Sequence, residues 1–225
     1  MYIKQKYTSE DFLLMTKKEK LQQIHDLLYS IMGECTCPLI HADAYQLLIA
    51  VMLSAQCKDD RVNQVTKILF ALAPDAKKMA ELDVRKIEEI IHPCGLSKNK
   101  SRNIHSTSKM LIEKYSGVVP KTMDELTSLP GIGRKSANVV LGNAFGIPGF
   151  PVDTHVKRVL FRLGTTKSQN PEVIEKEVCK VISDELWTNF SHLLIQHGRK
   201  ICSAAKPKCD NCTLNKICSK KGVSE

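Results

Sequence analysis

The sequence predicts an all-α fold, and three observations lead to this prediction. Apolar residues recur at helical spacing along most of the chain, and no segment shows the strict alternation of a half-buried strand. Residues that cap helices stand before several of these apolar segments. Aromatic residues make up only 5% of the 225 residues, which suits an aliphatic helical core better than a β-sandwich.

The first half of the chain predicts two well-defined helices. Thr16 and Glu19 form a capping-box pattern. The helix that follows is expected to bury one face, formed by Leu21, Ile24, Leu28 and Ile31. Asp43 can cap a second helix through residues 47–53, and because this segment is apolar on all sides we expect a buried central helix.

Three further helices are predicted before residue 115. The third is indicated by apolar residues at helical spacing, namely Val62, Val65, Leu69 and Leu72. Asp83 can cap the fourth, which contains Ile87, Ile90 and Ile91 and which Pro93 and Gly95 close. The fifth extends roughly over residues 98–114.

The second half of the chain continues the helical pattern. Thr122 and Glu125 form another capping-box pattern, opening a short helix that ends at residues 129–131. Helices are also expected to begin near Arg134, after Asp153, and after Asn170, which precedes a proline at the first helical position. The last long helix is expected over residues 184–197.

The charge of the chain indicates a polyanionic partner. The formal net charge is +9 and the isoelectric point is about 9.1, which is typical of nucleic-acid-binding domains but also of basic proteins without that role. The N-terminus lacks the pattern of a secretory signal, and no run of 18 apolar residues predicts a membrane span. We therefore expect a cytoplasmic protein that does not enter a membrane.

The C-terminal tail contains four cysteines with the spacing C-x6-C-x2-C-x5-C, namely Cys202, Cys209, Cys212 and Cys218. Because a cytosolic chain keeps its thiols reduced, this grouping indicates a metal site rather than disulfides. Four thiolates suit either a structural zinc ion or an iron–sulfur cluster. The single C-x2-C pair favours a cluster, but the spacing alone leaves both open. The scattered cysteines are interpreted as small apolar or incidental thiols: Cys35, Cys37, Cys57, Cys94 and Cys179.

The segment Leu-Pro-Gly-Ile-Gly at residues 129–133 lies between two predicted helices. Gly131 and Gly133 allow a tight turn and a close approach to another molecule. The helix that follows begins with free N–H groups and a positive dipole end, which can bind one DNA phosphate without reading the base sequence. An ordinary turn between two helices would explain the same residues.

Two side chains in the second half of the chain are candidates for catalysis. Lys135 lies in the first turn of the helix after the glycines, where the helix dipole, together with burial, would favour a neutral and nucleophilic amine. It could equally be a surface lysine that contacts phosphate beside Arg134. Asp153 could cap a helix, could assist cleavage at a sugar ring, or could do both.

Taken together, these segments resemble the endonuclease III family in their order and spacing. The motifs that carry the resemblance are LPGIGRKSA at 129–137, VDTH at 152–155, the four-cysteine tail, LLIAVMLSAQ at 47–56 and His-Gly-Arg at 197–199. The likeness extends from about Thr16 to Cys218. Each motif is moderately specific alone, and all of them in this order are highly specific.

The resemblance implies a helix-hairpin-helix DNA glycosylase fold with two helical domains. One is a six-helix domain at residues 37–147, with the helix-hairpin-helix motif at about 122–146. The other combines residues 1–36 with 148–225 and holds a [4Fe-4S] cluster in the loop 202–218, where the cluster is mainly structural. The active-site cleft would lie between the domains. The implied partner is double-stranded DNA with damaged pyrimidines or abasic sites, and the implied state is a monomer.

The activity implied by the resemblance is base-excision DNA repair by a bifunctional N-glycosylase and abasic-site lyase. Lys135 would attack the sugar C1′ of a flipped-out oxidised pyrimidine, and β-elimination through the resulting Schiff base would cut the strand on the 3′ side. Asp153 would stabilise the positive charge on the sugar and help to keep Lys135 neutral.

Further residues are assigned to DNA binding by the same resemblance. Gln56 resembles the residue that fills the gap left by the flipped base, and Leu96 resembles the wedge on the opposite strand. Without the resemblance, these two would be a polar helix end and a core leucine. The resemblance also places Gly131, Gly133 and Arg134 in the DNA-binding hairpin. The sequence departs from the family at Ser97, where an aromatic residue is usual.

Three other interpretations explain parts of the same pattern. A monofunctional adenine-type glycosylase shares the cysteine spacing, but it lacks the lysine and usually carries an extra C-terminal domain. A non-catalytic helix-hairpin-helix DNA-binding protein would not need both Lys135 and Asp153. A small iron–sulfur electron carrier fits poorly with the basic charge and the large helical body.

Overall fold

The computed structural model describes residue 12 and residues 14–223, and within this part of the chain it contains helices and short 3-10 turns but no strand. The all-α prediction is confirmed for these residues. By its own contacts the chain divides into two compact units. Unit 1 comprises Met1–Thr36 and Pro148–Glu225, and unit 2 comprises Cys37–Ile147.

Unit 2 contains seven α-helices in the described part of the chain, which are α2 (Ala44–Ser54), α3 (Asp59–Leu72), α4 (Ala76–Glu81), α5 (Val84–Ile91), α6 (Ser97–Tyr115), α7 (Met123–Ser128) and α8 (Arg134–Phe145). Periodicity did not predict α4, because six residues are too few to show a helical period. Its cap is nevertheless clear, since the Asp75 side chain accepts a hydrogen bond from the Lys78 N–H.

Helix α2 forms the centre of unit 2, as its sequence predicts. Every residue from 47 to 53 is buried, and α2 packs against α3, α6 and α8. Asp43 caps the helix, because its Oδ1 accepts a hydrogen bond from the Gln46 N–H at 2.9 Å. A helix that is apolar on all sides can only be stable when it is covered on all sides, and here its neighbours supply that cover.

Within residues 16–223, unit 1 contains four α-helices, which are α1 (Lys17–Met32), α9 (Thr154–Arg162), α10 (Pro171–Cys179) and α11 (Trp187–Lys200). Helix α11 packs against α9 and α1. Thr16 and Glu19 form the predicted capping box at the start of α1. Two 3-10 turns, Cys209–Asn211 and Asn215–Ile217, shape the cysteine tail.

Other caps agree with their sequence patterns, with one shift in a helix start. The Thr122 hydroxyl accepts a hydrogen bond from the Glu125 N–H, and Asn170 caps α10 ahead of its proline. The last long helix begins at Trp187 rather than at Asp184, because Asp184–Leu186 form a 3-10 turn first.

Two residues of the predicted buried faces are exposed. Ile31 is 62% exposed and Leu72 is 51% exposed. In both helices the buried stripe advances by four residues at its end, so that Met32 follows Leu28 in α1 and Ala73 follows Leu69 after α3. Because 3.6 residues make one turn, a stripe cannot advance by three residues indefinitely without leaving the core face.

None of the described helices is both long and apolar enough to cross a membrane.

Replacing Leu48 with alanine should test the central position of α2. Leu48 is fully buried, so the substitution removes packed side-chain atoms and leaves a cavity. We expect the free energy of unfolding to fall by about 2–5 kcal/mol, measured by urea denaturation. Leu72→Ala is the matched control on an exposed site, with an expected change within about 0.5 kcal/mol. Equal losses for the two variants would contradict this assignment of the core.

Candidate active site and metal centre

The predicted phosphate-binding turn joins α7 to α8 in unit 2. Gly131 has φ +80°, which favours glycine, and a Cβ added there would lie 2.7 Å from Asn103 Nδ2, so a larger residue would displace the Asn103 side chain. The Thr107 hydroxyl donates a hydrogen bond to the Pro130 carbonyl at 3.0 Å, which ties the turn to α6. This turn is therefore shaped by specific contacts with α6.

Gly133 is the N-cap of α8, and no side chain caps this helix. The first N–H groups of α8 lie at the positive end of the helix dipole. Arg134 and Lys135 occupy the first turn, and both side chains are exposed. The expected burial of Lys135 is wrong, because the first turn of α8 projects this side chain to the surface.

Gln56 and Leu96 share an uncommon backbone conformation. Their φ angles are +56° and +50°, in the left-handed region that non-glycine residues rarely adopt. Each such residue costs of the order of 1–3 kcal/mol and persists only where its surroundings enforce it. Leu96 is 56% exposed, so its interpretation as a core leucine is wrong.

Asp153 is the N-cap of α9 in unit 1. Its Oδ1 accepts hydrogen bonds from the N–H groups of His155 and Val156, both at 2.8 Å. Phe150 and Val152 are buried in the core of unit 1 and fix the segment that leads to the cap. Both cap bonds use one carboxylate oxygen, which leaves Oδ2 outside the cap.

Two arginines of α9 hold the first part of the cysteine tail. Arg158 donates from Nε to the Cys202 carbonyl at 3.0 Å and from Nη2 to the Gly198 carbonyl at 2.8 Å. Arg162 donates to the Ser203 and Ala204 carbonyls at 2.7 and 2.9 Å, and its Nη1 lies 3.4 Å from Cys202 Sγ. The helix capped by Asp153 is therefore bonded directly to the loop that begins at Cys202.

Helices α9 and α11 approach each other closely at Gly198. A Cβ added there would lie 2.9 Å from the His155 Cβ and 3.3 Å from Val159 Cγ2, so a larger residue would push the helices apart. Burial lowers the pKa of His155, which favours a neutral ring that accepts from Arg158 Nη2 at 3.1 Å. Gly198 of the His-Gly-Arg motif thus contributes to the packing of α9 against α11.

All four tail cysteines line one cavity, together with Arg162 and His197. Burial raises the pKa of the Cys212 thiol to about 11, so a cation is needed to convert it to a thiolate at neutral pH. The sulfurs also have hydrogen-bond donors, since the Lys220 N–H lies 3.4 Å from Cys218 Sγ. Within the described residues, no three His, Cys, Asp or Glu side chains are arranged around a single metal-ion position.

Sequence reasoning missed three residues that organise these segments. Arg158 and Arg162 are absent from the sequence prediction. Arg162 is only 6% exposed, and a charged residue on the apolar face of a helix is a pattern that could have indicated its role. Lys100 was also missed, although it precedes the buried Ile104 by one helical turn. All three donate to backbone carbonyls of other segments, and such partners have no signature in the sequence.

Comparison with known proteins shows the family to which this chain belongs. Residues 49–184 match the HhH-GPD superfamily base excision DNA repair proteins. Endonuclease III of Synechocystis sp. is 46% identical over 91% of this chain and 94% of that protein. The chain belongs to the endonuclease III family. The Escherichia coli K12 and Bacillus subtilis members are 41% and 39% identical and cover 83% and 91% of this chain.

Solved structures of endonuclease III share the fold of this family member. A non-covalent endonuclease III–DNA complex and a trapped endonuclease III–DNA covalent intermediate each align with a TM-score of 0.88 and 41% identity. Each alignment covers 92% of this chain and 97% of the other. A thermostable thymine-DNA glycosylase, 22% identical, has the same fold with a TM-score of 0.80.

Two substitutions at Asp153 should test its role as a helix cap in this endonuclease III family member. Asparagine caps helices about as well as aspartate, so we expect Asp153→Asn to leave the free energy of unfolding nearly unchanged. Asp153→Ala removes both cap bonds and should lower it by about 1 kcal/mol, measured by urea denaturation. If asparagine destabilised as much as alanine, the carboxylate charge rather than the cap would hold the start of α9.

Proposed function

We propose that this chain is a base-excision repair enzyme, a bifunctional DNA N-glycosylase and abasic-site lyase that acts on oxidised pyrimidines. The observation that carries the proposal is the position of Lys135. Its exposed amine lies in the first turn of α8, directly after the Gly131–Gly133 turn, at a helix end that no side chain caps. A family relationship to endonuclease III, one of whose structures is a trapped covalent intermediate with DNA, supports the same assignment.

The turn before α8 would bind one phosphate of double-stranded DNA. The uncapped N–H groups of α8 and its dipole favour an anion, and Arg134 adds a positive charge in the same turn. Gly133 has no side chain that could obstruct the backbone of the DNA. Such contacts carry no sequence information, which suits an enzyme that finds damage in any sequence context.

Lys135 would be the nucleophile. Its neutral amine attacks the sugar C1′, the glycosidic bond breaks, and the damaged base leaves with the bonding electron pair. The nitrogen then loses a proton, and the C1′–O4′ bond breaks with O4′ taking up a proton, so that the sugar ring opens and an iminium ion forms. This ion acidifies the C2′ proton, and loss of that proton breaks the C3′–O bond and expels the phosphate by β-elimination. Because Lys135 is exposed in the free chain, bound DNA would have to exclude water from the amine. Exposure in turn lets the amine reach a nucleotide that has been flipped out of the duplex.

Asp153 would assist the same reaction through its second carboxylate oxygen. The cap uses Oδ1 only, so Oδ2 can face a positively charged sugar without loss of the helix cap. The two cap bonds also fix the orientation of the carboxylate, so that little reorganisation is needed when charge develops.

Gln56 and Leu96 would act on the duplex around the flipped nucleotide. Both are exposed and both are held in a left-handed conformation, as expected for residues that a protein presents at a strained turn for function. Gln56 would fill the gap left in the stack, and Leu96 would separate bases on the opposite strand. An apolar wedge of this kind is known among proteins that distort DNA.

The four tail cysteines would hold a [4Fe-4S] cluster, and the donor set fits such a group. Four thiols line one cavity, and the Arg162 guanidinium and the Lys220 N–H lie at hydrogen-bond distance from Cys202 and Cys218 sulfurs. Donors of this kind stabilise thiolates on an iron–sulfur cluster. When bound, the cluster would supply structural stability and redox capability, while Lys135 and Asp153 carry the catalysis. We further propose that the protein acts as a cytoplasmic monomer associated with the nucleoid through DNA.

Reductive trapping should test the role of Lys135. With duplex DNA that contains one thymine glycol, borohydride should convert the Schiff base to a stable protein–DNA adduct, detected by gel electrophoresis. Lys135→Gln should give no adduct and no strand cleavage, because glutamine cannot form an imine. Lys67→Gln, at an exposed lysine of α3, is the matched control and should trap like the unchanged protein.

Other results of the trapping experiment would change the proposal. Base release without an adduct would indicate a monofunctional glycosylase. If protein that holds its metal centre binds DNA but neither releases the base nor cleaves the strand, the chain would be a non-catalytic DNA-binding protein. An adduct that persists in Lys135→Gln would place the nucleophile elsewhere.

Replacing a tail cysteine should remove the metal centre. We expect Cys209→Ala to lose the bound iron and sulfide and the broad visible absorption of the cluster, and to lower the thermal stability of the protein. Cys37→Ala, at a half-buried cysteine outside the tail, should retain the iron and sulfide and the visible absorption. Elemental analysis of purified protein decides the outcome, since zinc in place of iron would show that the tail is a zinc site.

A further inference from the structure

Lys100 is a buried lysine whose ammonium group has three backbone partners. It lies in the first turn of α6 and is 6% exposed. Its Nζ donates hydrogen bonds to the carbonyl oxygens of Leu53 at 2.8 Å, Ala55 at 2.7 Å and Cys94 at 2.9 Å. Because an ammonium group has three protons, these bonds use its full donor capacity.

The three carbonyls belong to two different segments, the C-terminal end of α2 and the 3-10 turn His92–Cys94. Leu53 lies in the last turn of α2 and Ala55 is its C-cap, directly before Gln56. Cys94 ends the 3-10 turn His92–Cys94 and is separated from Leu96 only by Gly95. One ammonium group therefore connects the loop that presents Gln56 to the loop that presents Leu96.

The charge of Lys100 has no carboxylate partner among the ion pairs of the described residues. The C-terminal end of α2 supplies the compensating negative potential, since its last carbonyls carry the partial charge of the helix dipole. Burial lowers the pKa of Lys100, which reflects the desolvation of the ammonium group. An apolar side chain would fill this position without that penalty but would leave three carbonyls with no bond from residue 100.

The hydrogen bonds of Lys100 lie close to two strained backbone positions. Gln56 and Leu96 are two of the four non-glycine residues with positive φ in the described part of the chain. A strained conformation persists only when neighbouring contacts enforce it. Lys100 holds the residue immediately before Gln56 and the residue two positions before Leu96, so its ammonium group constrains both backbones at once.

We propose that Lys100 is a positioning residue that fixes the separation of Gln56 and Leu96 and thereby controls how efficiently the damaged nucleotide is extruded from the duplex. The inference rests on the proposed function, because it assigns consequences to the roles of Gln56 and Leu96. Lys100 acts through these two residues and does not itself contact DNA in this mechanism.

Lys100→Met tests the inference, because methionine approximates the length of lysine without its donors. Single-turnover base excision is measured on thymine glycol duplex, with 2-aminopurine beside the lesion to report unstacking. We expect the excision rate to fall about 10- to 100-fold, the effect typical of a misplaced catalytic constellation, with a parallel loss of the fluorescence increase. Binding to undamaged duplex should change far less, since the α8 phosphate site is untouched.

A destabilised control separates positioning from general loss of structure. Leu111→Ala removes a buried side chain near the other end of α6 and should lower stability without touching the two loops. Assays are run at a temperature where melting curves show both variants folded. If Lys100→Met does not fold, Lys100→Gln replaces it, because glutamine keeps two donors. Equal fluorescence losses in the Leu111 and Lys100 variants would overturn the inference.

A double-mutant cycle gives the decisive measurement. Gln56→Ala and Leu96→Ala are combined in the unchanged protein and in the Lys100 variant, and excision rates are compared. If Lys100 couples the two loops, the effects of the two substitutions should be non-additive in the unchanged protein and additive in the Lys100 variant. Non-additivity that survives loss of Lys100 would refute the inference. An unchanged protein without excision activity would instead refute the proposed function.

Discussion

The attachment of the cysteine tail to helix α9 is the contact on which unit 1 depends. Arg158 and Arg162 donate to carbonyls at Gly198, Cys202, Ser203 and Ala204, so one helix orients the end of α11 and the start of the tail. A guanidinium group suits this task, because its fixed fork of donors can satisfy several backbone acceptors at once. The same helix begins at Asp153, and the position of that carboxylate therefore depends on the helix that anchors the loop of the four tail cysteines.

In unit 2 the ammonium group of Lys100, rather than a guanidinium group, binds main-chain carbonyls. The central helix α2 of this unit is covered on all sides and cannot shift without disturbing the whole core. The residues proposed to enter DNA lie outside this core, on loops at the ends of packed elements. The buried side chain of Lys100 joins these loops to the core through hydrogen bonds to their carbonyls. In both units, a buried cation bonded to main-chain carbonyls turns an irregular segment into a fixed one.

The helices and caps could be predicted because they depend on neighbours in the sequence. Thr16, Asp43, Asp83 and Asp153 cap the helices that their positions indicate, since the cap bonds join residues two or three apart. Helix α4 was too short to be predicted from periodicity. Ile31 and Leu72 were misplaced because a periodic stripe does not show where its covering neighbours end.

The sequence by itself determined the all-α fold class, the central position of α2, the cysteine spacing and the resemblance that brought Lys135 and Asp153 forward as candidates. These properties depend on composition and on short-range spacing. Only the tertiary structure decided that Lys135 is exposed, that Gln56 and Leu96 share a left-handed backbone, and that Lys100, Arg158 and Arg162 hold loops distant in sequence. The physical reason is that their partners are main-chain carbonyls. Every residue has such a group, so no residue type marks the partner, and only folding selects which carbonyls meet a buried cation.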